Sequence, residues 1–153
     1  MKKTLPAVIA AALIFAGCPN TSNIKQLPNP ENVSCSGLQY KESGGMVFKD
    51  TKSWQSFWST YCTVIDDKGN KMPAPGIDFD KSMLVGVFSG QKPTGGYSIK
   101  IERILESPKS LIVEYSEESP DPGAMVTMAL TYPCQLALIS KSEKTVEFKR
   151  IDN

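Results

Sequence analysis

The sequence predicts a mainly β fold (α+β): an antiparallel sheet or small β-sandwich with one packed N-terminal helix. Three observations carry this expectation. Apolar residues recur at every second position at Ile99 and Ile101, at Leu111, Val113 and Tyr115, at Cys134, Leu136 and Leu138, and at Val146 and Phe148, the period of strands with one buried face. One stretch has clear helical spacing, with Trp54, Phe57, Trp58 and Tyr61 at i, i+3, i+4 and i+7. Clusters of Gly, Pro, Ser and Asn separate the apolar runs, as turns require.

Residues 1–17 read as a leader. Lys2 and Lys3 give a positive start, and Leu5 to Phe15 is an apolar run interrupted by Pro6. That run is shorter than the roughly 20 residues of a membrane span and suits a secretory signal. Its end, Phe15-Ala16-Gly17-Cys18, resembles the bacterial lipobox, with Phe15 in place of the usual Leu. The resemblance implies cleavage before Cys18, acylation of Cys18, and a lipid-anchored protein of the cell envelope. The expected site is the outer membrane, on its periplasmic or surface side. Two acyl chains, at about 0.8 kcal/mol per buried CH₂, give stable anchoring. Residues 18–34 are rich in Pro, Asn and Ser, a composition expected of a flexible tether. The folded domain is expected over 35–153.

Within that domain Gly44-Gly45 reads as a turn and 46–48 as a short strand. Asp50 or Thr51 can cap the helix that follows. Its four aromatics are expected to pack on a sheet, because large rings dominate core energetics. The segment 66–70 is a solvated turn without EF-hand spacing. Residues 83–88 are almost continuously apolar, which predicts a strand buried on both faces. Strands are expected again at 99–102, 111–115, 124–131, 134–138 and 146–149.

Two connections stand out. Lys92-Pro93-Thr94-Gly95-Gly96-Tyr97 joins two strands; Pro93 fixes one backbone angle, and the glycines tolerate positive φ. It reads as a hairpin whose tip faces solvent. Glu117 and Glu118 lead into Ser119-Pro120-Asp121-Pro122-Gly123, which reads as a loop of solvated charge. Lys92 to Tyr97 and Pro120 to Gly123 are the candidate interaction residues.

Composition narrows function. The 153 residues suit one domain, and the formal charge of +1 gives no basic face for nucleic acid. Histidine is absent, which removes Ser-His-Asp and Cys-His catalysis and histidine metal sites. The chain is therefore expected not to be an enzyme, and to need neither cofactor nor metal. With Cys18 assigned to lipid, Cys35, Cys62 and Cys134 remain in an oxidising compartment. Cys134 lies in an apolar alternating strand and reads as a buried thiol. The expected bond is Cys35–Cys62, with Cys62–Cys134 as its competitor.

Taken together, Asp78-Phe79-Asp80-Lys81-Ser82-Met83, Ser89 to Ile99, Ser119 to Gly123 and Leu130-Thr131-Tyr132-Pro133 resemble the C-terminal domain of PrcB, a protease-complex-subunit family. The resemblance covers about residues 50–150. It implies a non-catalytic, lipid-anchored envelope module that supports assembly or stability of a secreted protease complex. It also implies a partner that is an envelope or secreted protein. A shorter likeness links 92–97 to the Asn-Pro-Thr-Thr-Gly-Tyr loop of chagasin-type cysteine-protease inhibitors, with Lys92 and Gly95 as departures. It implies an alternative, inhibition through loops 92–97 and 119–123. A third reading is an envelope module for a small ligand or glycan, using exposed aromatics.

Overall fold

The computed structural model describes residues 24–152. The leader and Cys18 lie outside the described residues. Eight strands and one helix follow in order: β1 Lys25–Gln26, β2 Glu31–Val33, β3 Ser43–Phe48, α1 Thr51–Tyr61, β4 Ser82–Ser89, β5 Ser98–Glu106, β6 Ser110–Glu118, β7 Cys134–Ser140 and β8 Thr145–Arg150. They form two four-stranded sheets, β1-β5-β6-β8 and β2-β7-β4-β3. The expected mainly β sandwich with one helix is what the described residues form.

The central strand explains the layering. Along β4, Met83, Val85 and Val87 enter a core shared with Ile99, Ile101, Ile104, Leu111 and Val113 of the other sheet. Leu84 and Phe88 point the opposite way, into a second core with Trp54 and Trp58 of α1. The second sheet is thus sandwiched between the first sheet and the helix. This is why residues 83–88 carry no polar face.

Helix α1 starts where Asp50 accepts the Ser53 backbone N–H at 2.8 Å, so Asp50 is the cap. Both indole N–H groups are satisfied: Trp54 donates to the Pro75 carbonyl at 3.1 Å and Trp58 to the Met72 carbonyl at 2.8 Å. The long connection 62–81 therefore serves the helix by supplying acceptors for rings that are otherwise buried.

The structure corrects several expectations. Residues 24–34 are not a free tether: Lys25 and Gln26 pair with Glu106 and Leu105, and Glu31 to Val33 pair with Leu138 to Leu136. Composition missed this because backbone pairing at a sheet edge needs few apolar side chains. The disulfide joins Cys35 to Cys134, neither of the pairs expected from sequence, and Cys62 is a buried free thiol. The β2–β7 register is the reason. Val33 faces Leu136, and that antiparallel register continued by two residues leads from Cys35 to Cys134, where the disulfide lies. Their Cα atoms are 6.4 Å apart, within bonding range. Cys62 instead ends α1, bridged to Leu38.

Two further differences concern strands. Gly44 and Gly45 belong to β3, where the Phe148 ring occupies the space a Gly45 side chain would need. Residues 124–131 form no strand; only Thr131 makes a bridge, with Lys92. In addition β8 pairs parallel to β6, a neighbour the alternation pattern alone does not define.

Candidate interaction site at the loop pole

The strands place the connections at two poles. β5 runs from Ser98 to Glu106, nine residues or roughly 30 Å at about 3.3 Å per residue. Loop 92–97 precedes β5, and loop 119–123 follows β6, whose Glu118 faces Ser98. Both loops therefore emerge at one end. β1 is antiparallel to β5, with Lys25 opposite Glu106, so the chain enters the domain at the other end.

The two candidate loops touch. A side chain on Gly96 would stand 2.9 Å from Pro120 Cβ and 3.0 Å from Val126 Cγ1. Gly96 also has φ +84°, where side chains rarely go, so glycine is required for both reasons. Beyond this contact the 92–97 loop is stitched to the segment ahead of β7. Lys92 and Thr131 exchange backbone hydrogen bonds at 2.8 and 3.0 Å. The Gly95 N–H donates to Thr127 O at 2.9 Å, and the Thr131 hydroxyl donates to Thr94 O at 2.7 Å. The loop is no hairpin: it crosses from β4 of the second sheet to β5 of the first, strands that do not pair with each other, and it is braced rather than free.

Side chains at this pole fall into two sets. Lys92 is half-buried, 5.4 Å over the Tyr97 ring centroid and 3.9 Å from Glu117. Arg150 also reaches Glu117, at 3.4 Å. Tyr97 is half-buried beneath Lys92, while Pro93, Asp121, Pro122 and Gly123 are exposed. The second set was missed from sequence: Met125, Met128 and Leu130 are 103%, 86% and 57% exposed. Most large apolar side chains among the described residues fill the cores, although Ile24, Val64, Ile65 and Met72 are exposed as well; here three stand in water within residues 125–130, and the two methionines are the most exposed of all. Their spacing of three and then two, between Pro122 and Pro133, is the signal against a strand.

Acidic groups flank this apolar stretch. Glu117, Glu118, Asp121 and Asp152 line one open concavity of about 540 Å³ with Ser119 and Pro120. Glu117 is paired, whereas Glu118, Asp121 and Asp152 make no salt bridge among the described residues. Leu130, Thr131 and Tyr132 also border a groove along Ser34 to Gln39, whose lining includes the disulfide-bonded Cys35 and Cys134.

Residues 83–140 match the PrcB C-terminal family model. This supports the family resemblance read from the sequence. The PrcB-like stretch runs from β4 through β7 and so contains both candidate loops and the exposed methionines. Helix α1 and β8 lie outside it. No curated protein and no solved structure matches the chain. The family, with a disulfide joining segments 99 residues apart, points to an extracytoplasmic protein, since such bonds persist in oxidising compartments.

The aromatic platform is ruled out at the helix. Trp54 and Trp58 are 1% and 6% exposed, and their N–H groups are already bonded. Among the described residues no helix is long and apolar enough to cross a membrane.

Proposed function

We propose that the chain is a non-catalytic, lipid-anchored interaction module of the cell envelope that supports a secreted protease complex. One observation carries the reading: a braced loop pole exposes three large apolar side chains at the end remote from where the chain enters the domain. An apolar stretch in water is costly unless something covers it, and rimmed apolar surface marks interaction sites. The PrcB-like match across the same residues supports a protease complex as the setting. Lipid at Cys18 would hold the domain by its chain-entering end and turn the loop pole away from the bilayer, toward a soluble or envelope partner. Two acyl chains on Cys18 and the outer membrane belong to this proposal.

The inhibitor reading keeps one specific support, because loops 92–97 and 119–123 meet at one pole, at Gly96 and Pro120. A titration separates the two. The full chain is used to capture envelope proteins, the captured proteins are identified, and purified partner protease is assayed with increasing chain. A supporting subunit leaves or raises activity and lengthens its half-life. An inhibitor lowers activity to zero at a fixed stoichiometry. Capture of no protease by folded protein would refute both readings.

A further inference from the structure

We propose that residues 124–130, with the acidic flank beside them, form the contact surface, and that it fits a protein partner whose apolar cleft is bordered by basic side chains. The inference rests on the interaction-module reading and adds the partner's chemistry. Met125, Met128 and Leu130 supply the apolar element. Methionine suits such a surface, since its unbranched thioether adapts to irregular clefts.

The acid flank supplies the sign. Asp121 turns directly into this stretch, its carbonyl accepting the Ala124 N–H at 3.0 Å. Asp152 follows β8, whose Arg150 faces Tyr115 of β6, so it reaches the same pole. Asp121 and Asp152 line one concavity with Glu118, and none of the three has a cation partner among the described residues. Uncompensated charge beside exposed apolar surface is complementary to a positive rim, which speeds encounter and rejects acidic surfaces. The same charge disfavours an anionic bilayer as the occupant.

The surface is also held in shape before binding. The Gly95–Thr127 and Lys92–Thr131 bonds fix the backbone on which the methionines stand. Less ordering is then needed on association, which favours affinity.

The test places a photo-crosslinking amino acid at Met125, at Met128, or at Gln55 on the exposed face of α1, in the full chain expressed in its own cells. The expected result is one protein crosslinked from 125 and 128 and none from 55. The crosslinked partner peptide should border Lys or Arg residues. Asp121→Lys with Asp152→Lys should cut the yield by about fivefold or more, and added salt should do the same to the parent. Thermal melts of each variant check that folding is unchanged. Crosslinks from 55 alone, crosslinks to lipid alone, or yields indifferent to charge reversal would overturn the inference while leaving an envelope partner possible. Silence at all three positions would overturn the interaction-module reading as well.

Discussion

The second sheet and the loop pole use the same kinds of residue to opposite ends. In β4 seven of eight residues are buried, Met83, Val85 and Val87 in one core and Leu84 and Phe88 in the other. In 121–130 nine of ten residues are exposed, three of them large and apolar. Both stretches are apolar by composition. What separates them is a neighbour on each side. β4 has β3 and β7 as ladder partners and α1 above it, whereas the 124–130 segment pairs with no strand among the described residues and is held by the 92–97 loop. Burial is decided by topology as much as by hydrophobicity, and a region that topology leaves uncovered is available for a partner.

The largest expected effect lies on the core side. Trp54→Ala should cost about 3–5 kcal/mol, since it removes a ring buried between Phe48 and Trp58 and leaves the Pro75 carbonyl unpaired. Urea unfolding measures it, and a loss under 1 kcal/mol would mean that α1 is not part of the cooperative core.

The disulfide comes next. Replacing Cys35 and Cys134 together by alanine should cost about 2–4 kcal/mol, because the bond closes a long loop of the unfolded chain. Peptide mapping of the unreduced protein should give a 35–134 linkage with Cys62 free.

Smaller effects sharpen the boundary between the regions. Gly96→Ala should cost about 1–2 kcal/mol through its positive φ and its approach to Pro120, and it would loosen the brace of the pole. Glu114 is a buried carboxylate held between Arg103 and Lys149 on the outer face of the first sheet. The Arg103 hydrogen bond, then that from Lys149, holds its pKa below the ordinary glutamate range despite the opposing effect of burial. Its stabilisation is therefore complete above that range and fades as the pH falls through the lowered value. Glu114→Gln should cost about 1–2 kcal/mol at neutral pH, its partners being half exposed, and should flatten the acid limb of a stability–pH curve. At the bottom of the scale, Met125→Ser with Met128→Ser should change stability by no more than about 0.5 kcal/mol. A large loss in that melt would show the methionines to be packed rather than presented.

The core was readable from sequence because each buried element has a period of its own. The 3.6 spacing of Trp54 to Tyr61 and the unbroken 83–88 run describe a helix over a two-faced strand, and both formed as expected. The edges were not readable. Lys25–Gln26 and Glu31–Val33 join sheets through backbone hydrogen bonds that composition does not encode, and missing β2 also hid the register that sets Cys35 opposite Cys134. The parallel β6–β8 pair is a long-range contact of the same kind. At the candidate site the sequence marked loops 92–97 and 119–123, and the structure brings them together at Gly96 and Pro120. It did not mark Met125 and Met128, because the apolar composition of 124–131 reads as a strand and outweighs their irregular spacing.

Hydrogen exchange on the chain with and without its captured partner tests the central claim most directly. The account predicts that added protection falls on amides of 92–97 and 120–131, with β4 and α1 unchanged from their already slow rates. Protection confined to the outer face of α1 or to β8, or no change anywhere on adding partner, would contradict it.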